Sequence, residues 1–178
     1  MESIGENYLK SSKKLFAYYK SLGDKAIERT DEDGLHWQYN AQSNSMATII
    51  KHMAGNSISR WTDFLTTDGE KEWRDRDNEF EDEHLSKPEL TAYWNKGWQC
   101  LFDAIDPLTE ADLLKIIYIR GEAHTVVEAM NRQLAHLAMH VGQLVFIAKM
   151  IAGEDWVSLT ISKGQSKEFN AGKFGAGK

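Results

Sequence analysis

The sequence predicts an all-α protein, a bundle of four long helices with a short β-hairpin before the last. Three observations predict it. Apolar residues recur at helical spacing in four separate segments. Only two prolines occur, Pro88 and Pro107, and both fall at expected helix boundaries. The 178 residues, 42% of them apolar, suit one globular domain with a substantial core.

The first helix is expected from about Ile4 to Ile27, where Ile4, Tyr8, Leu15, Tyr19, Leu22 and Ala26 recur at helical spacing. "DEDGLHWQYNAQSNS" is rich in turn residues and reads as a loop. A second helix opens after Asn44 or Ser45 as N-cap. Ile49, Ile50, Met53, Trp61, Phe64 and Leu65 give it an apolar side, and Gly69 in "TTDGE" should end it. "KEWRDRDNEFEDEHL" mixes charge with aromatics and is expected to be a long ordered loop.

"SKPE" starts the third helix: Ser86 and Glu89 have capping-box spacing, and Pro88 is tolerated in a first turn. Leu90, Trp94, Leu101 and Ile105 mark its inner face. "LLKIIYIRGEAHT" carries a β-branched run, a glycine and a return, which reads as a hairpin. Thr125 and Glu128 form a second capping box for the fourth helix. Its apolar positions Met130, Leu134, Leu137, Val141, Leu144, Ala148 and Ile151 alternate four and three apart, the seam of a packed bundle helix. Residues 1–162 are thus read as one domain. Residues 163–178, ending in "GKFGAGK", are read as a partly disordered tail.

Charge and cysteine count narrow the function. A net charge of −6 leaves no uniform basic surface, so nucleic acid is not an expected partner. One cysteine, Cys100, allows neither an intramolecular disulfide nor a thiolate metal cluster. No signal-type apolar run opens the chain, and no segment was expected to approach the roughly 20 apolar residues of a membrane span. A cytoplasmic protein without a membrane partner is the expectation.

The residues that carry chemistry are histidines. On the fourth helix His136 and His140 are four apart, so they are neighbours on the flank of the core stripe. His52, in "ATIIKHMAGN" on the second helix, is the candidate third ligand. Three neutral imidazoles from two helices would leave open positions for water or substrate, as in catalytic sites for zinc and related ions. Core-edge histidines bonded to carbonyls would explain the same letters. His36, His84 and His124 fall in loops or at helix starts and read as surface or capping residues. His124 lies near enough to a bundle end to approach a site there.

Other machinery is missing from the pattern. There is no Gly-rich phosphate loop, G-x-S-x-G elbow or convincing nucleophile–base pair. A di-iron bundle would need Glu-x-x-His pairs, which the fourth-helix histidines lack. Cys100 reads as a small buried apolar residue. Candidate substrate contacts are Asn56, Arg60, Trp61, Trp73 and Arg76. Arginine grips carboxylates and phosphates, tryptophan could cover an organic ligand, and Asn56 is one turn from His52. The same arginines would equally pair with Asp75, Asp77 and Glu79 while Trp73 packs the loop down.

"KHMAGN" on a second helix followed by "AHLAMHVGQ" on a fourth resembles the DinB-like superfamily, which includes the YfiT-type proteins. The blocks "NSMATIIKHMAGN", "SRWTDFLTTDGEKEWRDRDNEF", "RGEAHTVVEAMNRQLAHLAMHVGQL" and "SKGQSKEFN" resemble an uncharacterised bacterial branch of it, over nearly the whole chain. The resemblance implies a four-helix bundle of DinB type, and often a homodimer. It implies one divalent metal held by three histidines, at positions matching His52, His136 and His140. Zinc and nickel come first, with manganese and iron as alternatives. Some relatives are transferases or isomerases that use a low-molecular-weight thiol such as bacillithiol or mycothiol, and many have no known activity. The expected function is therefore a mononuclear metal-dependent S-transferase acting on a small electrophile. The alternative is a non-enzymatic metal-binding stress or ligand-binding protein.

Overall fold

A computed structural model describes residues 1–81 and 83–175 of the chain. It is mostly helical, with one two-stranded antiparallel sheet. The long helices are α1 (Ile4–Glu28), α3 (Met46–Trp61), α4 (Lys87–Ile105) and α5 (Val126–Ala152). The short helices are α2 (Glu32–His36) and α6 (Ser166–Gly175), and the hairpin is β1 (Ile116–Ile119) with β2 (Glu122–Thr125).

Each long helix begins where side chains replace its missing carbonyl partners. Ser3 with Glu6, Ser86 with Glu89 and Thr125 with Glu128 form capping boxes. Ser45, the second of the two expected caps, accepts from the Thr48 N–H. The seam then packs: Leu90, Trp94, Leu101 and Ile105 of α4, and Met130, Leu137, Val141, Leu144 and Ala148 of α5, are all buried. Ile151 is not, standing 38% exposed at the end of α5.

The helices make a bundle whose neighbours follow from named contacts. Tyr8 on α1 donates to Val127 O, and its Oη lies 2.8 Å from Asn131 Oδ1 on α5. Trp94 on α4 donates to Asp24 on α1 at 2.7 Å. Gly97 lets α4 come so close to α3 that a Cβ there would lie 2.6 Å from Ala54 Cα. The α3–α4 and α1–α5 interfaces are the largest, and α3 meets α5 along a thinner seam. That seam is polar. Gln133 donates to Ser57 at 3.3 Å, both buried, and the histidines lie beside them.

Four expectations are corrected. The first loop contains α2, because Asp31 caps a single turn by accepting from the Gly34 N–H at 2.9 Å. The helix expected to run to Gly69 stops at Trp61: Thr62 leaves helical geometry and Asp63 takes a positive φ of 49°. Phe64 is still buried, so the apolar spacing ran past the backbone's turn. The tail carries α6, and its last residues, 176–178, lie outside the described ones. Finally, Val126–Asp155 is long and apolar enough to cross a membrane by length and composition, its most apolar 18-residue window having a mean hydropathy of 1.5. Its buried positions form the seam just described.

The hairpin is pinned to the α3–α4 connection. Arg120 and Gly121 both take positive φ, 56° and 76°, the geometry of a tight two-residue turn. Asp68 accepts from both of their N–H groups at 2.8 Å, and the Gly69 N–H donates to Tyr118 O.

Candidate metal centre

α3 and α5 bring His52, His136 and His140 together. His136 Nε2 lies 3.1 Å from His52 Nε2 and 3.1 Å from His140 Nε2. The rings stand nearly perpendicular, at 82°, 72° and 85° for the three pairs. Among the described residues this is the one group of three histidine, cysteine or acidic side chains that could share an ion.

The outer nitrogens decide which atoms face inward. His52 Nδ1 lies 2.9 Å from Oε2 of Glu79, an acceptor when ionised. His140 Nδ1 lies 2.7 Å from Oε1 of Gln143, one turn on in α5. Both histidines therefore carry their proton on Nδ1 and turn an Nε2 lone pair toward His136. A proton on His136 Nε2 could satisfy only one of two such neighbours. A cation between the three satisfies all of them. Zinc–nitrogen bonds of about 2.0–2.1 Å imply nitrogens about 3–3.4 Å apart, which the observed spacing fits.

The electrostatics favour the neutral forms of His136 and His140. Burial, then the charges of His140, His52, Arg60 and Arg74, push His136 down to about 3. Burial also lowers His140, against the Gln143 hydrogen bond that raises it. Burial works to raise Glu79, but hydrogen bonds from His52 and Arg74 hold it below the usual carboxylate range.

The loop after α3 supplies that carboxylate. Glu79 is 6% exposed and takes two bonds from Arg74, Nε at 2.7 Å and Nη2 at 2.9 Å. Gly55 makes room for it, since a Cβ there would collide with the Glu79 carboxylate. Buried Lys51 ties the loop down further, donating to Asn78 O at 3.0 Å, Glu81 O at 2.8 Å and Glu83 at 2.9 Å. Phe80 then lies against His52, with ring centroids 4.9 Å apart.

Asn56 and Arg60 follow His52 on the same face of α3, both buried, and Asn56 Oδ1 and Arg60 Nε have no hydrogen-bond partner. Trp61 lies in the core against Phe64. Trp73 is 61% exposed in a shallow cleft with Arg74 and Glu79. Arg76 stacks over Phe80 at 5.1 Å and lies 3.8 Å from Asp77. His124 sits on β2 beside Glu122, apart from the triad, and His36 bonds to Leu85 O. Cys100 is half-buried, its sulfur 3.5 Å from the Thr62 hydroxyl. Gln143, Lys51 and Arg132 have no role in the sequence reading, and Glu79 enters it only as an arginine's partner, which its bonds to Arg74 bear out. Gln143 alone had a local signal, its three-residue spacing from His140.

Residues 3–165 match the family described as Protein of unknown function (DUF1572). The chain belongs to this family. No curated protein and no solved structure matches the DUF1572 chain. In this DUF1572 protein the triad draws on both halves of the matched region, His52 from one and His136 and His140 from the other.

Proposed function

We propose that this protein is a mononuclear divalent-metal protein of the DinB type, with His52, His136 and His140 as ligands. The convergence of three Nε2 atoms, those of His52 and His140 each 3.1 Å from that of His136 and turned inward by Glu79 and Gln143, carries the reading. An all-nitrogen donor set suits zinc or nickel, with manganese or iron as alternatives. Three ligands leave an open position, and a cation bound there would lower the pKa of a water or thiol placed in it.

The chain's own residues then fit a thiol-dependent S-transferase. The carboxylate of Glu79 holds the His52 ring in position and raises its basicity. Phe80 and the Arg76 side chain over it cover one flank of the triad. Asn56 Oδ1, unpartnered and one turn from His52, is placed to accept from a ligand N–H or O–H. Trp73, exposed, remains a proposed contact for the organic part of a substrate, whereas Trp61 is buried in the core. A low-molecular-weight thiol would be the cosubstrate and a small electrophile the acceptor. The homodimer belongs to the same reading and is tested by sedimentation.

A non-catalytic reading draws on a different observation. The ligands join α3 to α5 where the helix interface is thin, so an ion would also act as a staple. The first test is metal content by elemental mass spectrometry on wild type beside His136→Ala. About one ion per chain, lost in the variant, supports the site. No ion in either protein after incubation with zinc, nickel and manganese overturns it. Thiol-transfer turnover that survives His136→Ala would remove the enzyme reading alone.

A further inference from the structure

We infer that an oxyanion, the carboxylate or phosphate group of a small molecule, binds between Arg60 and Arg132, at the end of the α3–α5 seam beyond the histidines. On α3, His52, Asn56 and Arg60 are spaced four apart. On α5, Arg132, His136 and His140 are spaced four apart. Residues at this spacing share a helix face. The contacts run in opposite senses, His52 with His136 and Ser57 with Gln133, so Arg132 stands about level with Ser57 and Arg60 one turn further along the seam.

The charges around Arg60 do not balance. Glu70 is held by Arg120 at 2.9 Å and lies 3.7 Å from Arg74. Glu79 is held by Arg74 and His52. Those two carboxylates are committed, and Arg60 and Arg132 form no ion pair among the described residues. Arg132 is exposed at the rim. Arg60 is only 7% exposed, and its Nε is buried without a partner. Its stem is pressed against the chain at Gly69, where a Cβ would lie 2.8 Å from the Arg60 Cδ.

Burial, followed by the charge of Arg132, lowers the Arg60 pKa to about 10, which still leaves it protonated at neutral pH. Glu70 offsets part of this charge from a distance but forms no ion pair with Arg60, and a bidentate oxyanion is the partner the buried planar fork fits. Asn56, whose Oδ1 is unpartnered among the described residues, lies between Arg60 and His52 along α3, and His136 of the triad has an unpartnered Nδ1. At 1.5 Å rise per residue, Arg132 is about 6 Å along the axis from His136 and about 12 Å from His140. The ligand is thus an elongated monoanion or dianion, its charged end on the arginines and its reacting end toward the histidines. The orientation rests on the metal reading; the oxyanion contact does not.

The test follows arginine Nε–H signals by NMR in uniformly 15N-labelled full-length protein. Inorganic phosphate and acetate are titrated separately into metal-free and zinc-loaded samples, with chloride as the ionic-strength control. Metal-free wild type should show a saturable shift with at least one of the two anions, and the tighter one identifies the group. Arg132→Gln, at an exposed position, should weaken that binding at least about tenfold. Arg60→Lys, which keeps the charge and loses the fork, should weaken it too. Shifts that match chloride, or an Arg132→Gln titration superimposable on wild type, overturn the proposal. Saturable anion binding without zinc uptake would sink the metal reading and leave this one standing. Zinc uptake without anion binding would do the reverse.

Discussion

Oε2 of Glu79 lies 2.9 Å from Nδ1 of His52, so a carboxylate from the charged loop orients a histidine on α3. The same carboxylate holds Arg74 by two bonds, which makes it the joint between loop and site. Removing its charge should be felt at the triad. Glu79→Gln is expected to weaken zinc affinity about 10–100-fold, the usual effect of losing such a partner. Competition with a chromophoric chelator measures it, and unchanged affinity would dissociate the loop from the site.

An ion across the α3–α5 seam should stabilise the folded chain. With zinc at about 100 times its Kd the gain is about 2.7 kcal/mol. For a chain of this size that is a rise in Tm of about 5–11 °C. Each of His52→Ala, His136→Ala and His140→Ala should abolish the zinc-dependent rise, read by differential scanning calorimetry with and without chelator.

Gly55→Ala gives an unusual sign. Alanine in a helix interior ordinarily gains about 1 kcal/mol over glycine. Here the added methyl meets the Glu79 carboxylate, and overpacking costs about 1–3 kcal/mol. The variant should be less stable than wild type in urea and should bind zinc more weakly. A more stable variant would mean that Glu79 moves away freely.

Asp68 should make the hairpin's attachment sensitive to acid. Burial works to raise its pKa, but N–H donors from Glu70, Gly121 and Arg120 hold it below the usual aspartate value. A folded pKa depressed in this way stabilises the protein above the unfolded value, and the contribution is lost as pH falls through the folded one. The group is largely exposed, so the effect is about 1 kcal/mol at neutral pH. Asp68→Asn should therefore be less stable than wild type at pH 7, with the difference lost as pH falls through the depressed folded value. A difference independent of pH would exclude the charge as its cause.

Local signals carried most of what could be read from the letters. Ser3, Ser45, Ser86 and Thr125 announce helix starts because a cap acts within three residues. His136 and His140 could be paired on spacing alone. The end of α3 was hidden because Phe64 stays buried after the backbone turns, so the apolar pattern outlasts the helix. Glu79 was legible as an arginine partner, but its contact with His52 was hidden for a different reason. The residue stands among many acidic neighbours, and only the fold of the loop over Gly55 sets it apart. Arg60 was visible as a candidate, but its lack of a partner depends on where Glu70 and Glu79 are engaged.

The pairing of α1 with α5 has a consequence for the order in which a newborn chain acquires its parts. His52 and His136 are 84 residues apart. At about 5–20 residues per second, a ribosome takes about 4–17 s to travel between them. Until α5 emerges, the growing chain presents a cation with one imidazole of the three. The closing helix brings the other two together with the partner α1 has been waiting for. On the proposed metal reading, ion selection would thus fall to the folded protein, and a chelator added during synthesis should delay loading without preventing the fold.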